Sequence, residues 1–104
     1  MITLQLDTEP RIARVEVTAD RLCVDLTDGR VISTPLEWYP RLAHGTPQER
    51  ARYELSGGGY GIHWPDLDED LNVEGLLAGR RSGESERSFR RWLEGRKPPE
   101  ARKT

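Results

Sequence analysis

The stretch Ser56–Asp70, SGGGYGIHWPDLDED, gathers a glycine loop, a histidine, a tryptophan and four carboxylates into fifteen residues. Three chemistries could use such a set. A glycine loop can cradle phosphate, but that requires a helix N-terminus directly after the glycines, its amides aimed at the anion. Here Gly57–Gly61 runs into an apolar strand pattern and then into acids, which would repel an anion. A divalent metal could take His63 with Asp66, Asp68 and Asp70, since hard oxygens and one imidazole suit such ions. The alternating acids and central glycine of a calcium loop are absent, and the second histidine, His44, lies nineteen residues upstream. An acid–base pair needs one carboxyl group taken out of water. Four neighbouring acids read instead as a solvated rim, so no catalytic residue and no metal ligand is assigned. The acids Asp66, Asp68 and Asp70 are expected to meet a partner.

A second group with binding chemistry lies near the C-terminus. Phe89, Trp92 and Leu93 fall at i, i+3 and i+4, the spacing of one helix face, with Arg90 and Arg91 beside them. Buried aromatic anchors of this kind dominate many protein interfaces. Trp38, Tyr39 and Arg41 form a third candidate, readable either as a recognition patch or as core and rim.

The elements that must hold these residues can be read from periodicity. Arg11 to Leu36 reads as a three-stranded meander. Ala13, Val15 and Val17 alternate with polar residues, as do Leu22, Val24 and Leu26. Two-residue turns at Ala19-Asp20 and Asp28-Gly29, the second of type I′, pair Val17 with Leu22, Val15 with Val24, Ala13 with Leu26, and Leu26 with Val31. Thr34-Pro-Leu-Glu37 and Thr46-Pro-Gln-Glu49 are twin helix starts, each with a threonine cap, proline at the first position and glutamate at the third. Pro40 keeps the first helix short; the second runs about 47–52. Two strands, Tyr53–Leu55 and Gly61–Trp64, flank the glycine loop as a hairpin. Pro65 ends the second strand, Leu67 and Leu71 point inward, and Asp68–Asp70 precede a short helix whose dipole favours them. Asn72 caps that helix, 73–78, and Gly79 ends it. A further helix spans about 84–94.

The fold class is therefore α+β: a small single domain with an antiparallel β-meander, a second hairpin and short helices, followed by a C-terminal amphipathic helix. The division is 1–79 as the compact domain and 80–104 as a basic tail. Residues 1–79 carry seven basic and fourteen acidic side chains, net −7; residues 80–104 carry nine and four, net +5. Such polarity concerns partners more than fold. No apolar run reaches the roughly 20 residues of a membrane span. Met1–Asp7 lacks the basic and apolar regions of a secretion signal, and Cys23 stands alone as a half-buried thiol. A cytoplasmic protein without cofactor or membrane contact is expected.

Asp28-Gly-Arg-Val-Ile-Ser-Thr-Pro-Leu-Glu-Trp-Tyr-Pro-Arg-Leu42, followed by Gly61-Ile-His-Trp-Pro-Asp-Leu-Asp-Glu-Asp-Leu-Asn-Val-Glu-Gly-Leu-Leu77, resembles the bacterial domain-of-unknown-function family 2442. The resemblance spans roughly residues 11–79 and implies a small α+β domain with a β-meander. It brings no catalytic residues. Members are often encoded beside another small protein, and some are fused to a helix-turn-helix domain, an arrangement similar to antitoxin modules.

The resulting expectation is a non-catalytic protein-binding module, antitoxin-like, that neutralises a small basic partner encoded nearby. The alternative is nucleic-acid association through the tail's Arg80, Arg81, Arg87, Arg90, Arg91, Arg96, Lys97, Arg102 and Lys103, with the strong salt dependence that phosphate contacts bring.

Overall fold

The computed structural model describes residues 9–96; Met1–Asp7 and the tail residues Lys97, Arg102 and Lys103 lie outside this range. Two three-stranded antiparallel sheets with short helices make a compact α+β domain. In the first sheet β1 (Ile12–Val17), β2 (Arg21–Leu26) and β3 (Val31–Pro35) lie in sequence order. Val17 pairs with Leu22 and Val15 with Val24, the register that alternation requires. A bulge between Ile12 and Arg14 breaks the pattern, so Ile12 rather than Ala13 stands opposite Leu26 and enters the core.

The Asp28-Gly29 turn also departs from expectation. The loop holds three residues, Thr27–Gly29, and Leu26 bonds through its amide to Arg30 O. Only Gly29 has a positive φ, +95°, so the turn is not type I′, which needs two. Asp28 Oδ1 accepts from the Arg30 amide and stabilises this form. The extra residue moves the β2–β3 pairing by one, placing Asp25 opposite Val31 and leaving Val31 in solvent. Arg21 reaches across to β3, donating through Nε to Ser33 Oγ and through Nη2 to the Ser33 carbonyl.

The first helix-start motif does not cap a helix. Thr34 stands opposite Leu22 inside β3, with its side chain facing the core. Its Oγ1 is buried and makes no well-formed hydrogen bond, although the Tyr39 hydroxyl lies close enough to feel it. A 3₁₀ turn, Leu36–Trp38, and α1 (Pro40–Ala43) follow. The second motif forms a complete reciprocal box at α2 (Pro47–Ala51): Thr46 Oγ1 accepts from the Glu49 amide while Glu49 Oε1 accepts from the Thr46 amide.

In the second sheet, β4 (Glu54–Ser56) and β5 (Gly61–Trp64) form the expected hairpin, joined through Gly57, Gly58 and Gly59, all at positive φ. A third strand extends the expected hairpin. Glu69–Asn72 is β6, paired so that Ile62 meets Leu71 and His63 meets Asp70. The acids expected to favour a helix dipole thus belong to a strand and the loop before it. Asn72 Oδ1 caps α3 (Val73–Leu77) through the Gly75 amide, and Gly79 closes it.

One buried cluster joins the sheets: Leu22, Val24 and Leu26 from the first, Ile62 and Trp64 from the second, with Leu36, Tyr39, Leu42, Leu67 and Leu76 between. Ile12 N–H bonds to Gly59 O, and Trp64 Nε1 to Arg50 O, so each sheet is also tied to the other's surroundings by polar contacts. Beyond Gly79 the chain remains fastened to the body. Ser82 N–H bonds to Trp38 O, and Tyr39 Oη donates to Arg80 O. The last helix, α4 (Glu86–Gly95), begins at Ser85, whose Oγ accepts from the Ser88 amide.

Candidate functional site

The candidate residues separate into an inward group and an outward group. Tyr39 is in the core, 1% exposed, and cannot reach a partner. Trp38 is half-buried, with the Arg81 guanidinium over its ring at 4.7 Å. Arg41 is the hub of the inward group. Its Nε and Nη2 hold both carboxylate oxygens of Glu84, a bidentate pair whose side chains are 14% and 16% exposed. Its Nη1 donates to the carbonyls of Leu67 and Asp68. Arg41 thereby joins α1, the β5–β6 loop and the chain leading into α4. The Arg41 bond holds the Glu84 carboxyl below its usual range.

The aromatic face of α4 is turned onto this hub. Two guanidinium groups lie over the Trp92 ring, Arg41 at 5.0 Å and Arg96 at 4.8 Å from its centre. Arg96 also bonds to Glu49 Oε1, extending the capping box of α2. Phe89 stacks on Trp92 at 5.7 Å and meets His44 edge-on at 5.1 Å. Of the three residues proposed as an anchor, only Leu93 is exposed. Arg90 and Arg91 face solvent, Arg90 paired with Glu86. The i, i+3, i+4 spacing identifies a sticky face; it carries no information on whether the surface it meets is the chain's own.

The outward group is the acidic rim. Asp66 pairs with Arg52 at 2.9 Å. Asp68, at φ +52°, is the one non-glycine residue with positive φ among the described residues, and its side chain is 82% exposed. Asp70 is 71% exposed and lies 2.8 Å from His63 Nδ1, so a carboxylate orients the histidine. His44 Nδ1 faces Pro40 O on another element. Among the described residues no three acid, histidine or cysteine side chains converge to hold a metal ion.

Glu69 is the site residue that pattern reading missed. It stands opposite Trp64, on the core-facing side of the sheet, and is half-buried. Desolvation raises its pKa; the Asp70 amide, donating to Oε1, and the nearby Arg41 charge work in the opposite direction. Its strand partner would have been visible only with β6 assigned.

The match to known proteins covers this same region. The family model for proteins of unknown function DUF2442 matches residues 12–82. The chain belongs to the DUF2442 family. A crystal structure of a protein of unknown function from Rhodospirillum rubrum is 33% identical, with 74% of this chain and 95% of that one covered at a TM-score of 0.63. A solution structure of an uncharacterized protein from Chromobacterium violaceum is 24% identical and covers 77% and 74% at 0.62, a likeness of fold alone. No curated protein matches the chain. The DUF2442 match ends at Ser82, so it includes Arg41 and the acidic rim and stops before α4. No helix among the described residues is long and apolar enough to cross a membrane.

Proposed function

We propose that this DUF2442 protein is a non-catalytic protein-binding module of the cytoplasm, which captures and neutralises a small basic partner in the manner of an antitoxin. The observation that carries this reading is the exposed acidic rim: Asp68 and Asp70 project from the end of the second sheet, with Asp66 beside them. The rim, rather than the aromatic face of α4, is the partner-facing surface, because Trp92 is engaged by Arg41 and Arg96. Exposed carboxylates of this kind steer association and set specificity more than they add affinity.

The test is to isolate the binding partner from the native host by mild cross-linking and to measure its association with the parent and with Asp66→Asn/Asp68→Asn/Asp70→Asn. The triple variant is expected to fold normally and to associate roughly tenfold more slowly at low salt. An unchanged association rate refutes the reading. Tight stoichiometric metal uptake by the parent, abolished in the variant, replaces it with a metal site.

A second reading rests on α4, whose outward face carries Arg87 and Arg91 in solvent. If that face binds nucleic acid, affinity falls steeply with salt and each arginine removed flattens the slope.

A further inference from the structure

We infer that the free edge of β6 is where the basic partner docks, by adding an extended segment of its chain as a fourth strand to the second sheet. This inference rests on the reading of the acidic rim as a partner surface and gives that surface a binding mode. The register determines which backbone groups are free. Val73 N–H bonds to Tyr60 O, and the β5–β6 pairs run Gly61–Asn72 to Trp64–Glu69. In an antiparallel ladder bonded and non-bonded pairs alternate. Glu69 and Leu71 therefore face β5, while Asp70 and Asn72 turn their backbone groups to the open side. The Asp70 amide meets only the carboxylate of its neighbour Glu69, at 3.1 Å.

This edge forms one wall of an open groove of about 350 Å³, and the segment Arg81–Glu84 forms the other. The outward-facing backbone groups suit an extended peptide, which gains affinity from main-chain bonds and specificity from alternate side chains. Charge selects the kind of peptide. Arg41 and Glu84 neutralise each other, and Arg81 is drawn over Trp38. Asp68, which Arg41 Nη1 also reaches at 3.5 Å, lines the groove with Glu69 and with Asp70, which His63 faces, so carboxylates still outnumber guanidinium groups along it. An incoming lysine or arginine would lie against these carboxylates, and a peptide carbonyl would take the place of Glu69 at the Asp70 amide.

The experiment uses the full chain, isotope-labelled, titrated with acetyl-Val-Lys-Val-Lys-Val-amide and with the same peptide N-methylated at every peptide bond. Both probes carry equal charge, and only the first can pair as a strand. Saturable shifts centred on the Asp70 and Asn72 amides are expected with the first peptide and not with the second. Glu69→Gln/Asp70→Asn should weaken the first peptide roughly three- to tenfold, the scale of two rim charges. Equal binding of both peptides, shifts centred on another face, or no saturable binding at millimolar peptide each overturns the proposal. If the proposal fails while the triple rim variant still slows partner association, only the strand-addition mode is lost. If the triple variant has no effect, the rim itself is not the partner surface.

Discussion

Replacing Trp92 with alanine removes the side chain through which α4 meets Arg41, together with its contacts to Phe89 and to the C-cap residue Arg96. The ring makes two guanidinium contacts, at 5.0 and 4.8 Å, and one stacked aromatic contact at 5.7 Å. Partly exposed cation–π contacts contribute about 0.5–1 kcal/mol each. The Phe89 stack adds about 0.5–1.5 kcal/mol. Together the loss is about 2 kcal/mol, which for a domain of this size lowers Tm by about 10 °C. Urea and thermal unfolding, followed by the fluorescence of Trp38 and Trp64, measure it. Arg91→Ala, on the exposed side of the same helix, serves as the control and should leave Tm unchanged. The cycle of Trp92→Ala with Arg41→Lys should show coupling, because both changes act on one contact. A Tm within 2 °C of the parent would refute the docking of α4 through Trp92.

Two further predictions concern charge. Glu84 is held below its usual range by Arg41, so the stabilisation it brings is complete above the ordinary carboxylate pKa and is lost as pH falls through its lower folded value. Glu84→Gln should therefore be less stable than the parent at pH 7 and approach it near pH 3 in urea titrations; a constant difference across that range counts against the Arg41 pair as the cause. Glu69 has the opposite sign: desolvation raises its folded pKa, so its ionised form is a cost to folding at neutral pH that protonation relieves. Glu69→Gln should be more stable than the parent at pH 7, with the gain shrinking in acid; a loss of stability at pH 7 would show that the carboxylate's bond to the Asp70 amide outweighs its desolvation.

The fold was legible where one local signal had no competitor. Val15, Val17, Leu22 and Val24 alternate cleanly, and their pairing followed. Thr46 and Asn72 each offer a side-chain oxygen to an amide three residues on, with no strand partner competing for that turn, and both cap a helix. Thr34 carries an equally good capping sequence, but it sits within reach of β2, and ladder pairing with Leu22 took it instead. The Asp28-Gly29 signal located a turn correctly without fixing its length, and one residue of loop inverted which side of β3 faces water. β6 was hidden because Glu-Asp-Leu-Asn has low strand propensity; its pairing with β5 is a tertiary choice. The site was hidden for the same reason. Arg41 acquires its role from Asp68 and Glu84, 27 and 43 residues distant, and nothing local to Pro40-Arg41-Leu42 announces either.

The hold of Arg21 on Ser33 bears on how the protein behaves when crowded. β3 is the outer strand of the first sheet, and its ladder with β2 leaves Val31, Ser33 and Pro35 facing outward. Unguarded strand borders of this kind template stacking of one molecule on another. Here Pro35 offers no amide, and the Ser33 carbonyl is already filled by the Arg21 guanidinium. A chain arriving at that border finds one of its acceptors occupied and a cation in its path. The first sheet is thereby shielded from self-assembly along β3, whereas the β6 border of the second sheet carries no such plug on its outward Asp70 amide.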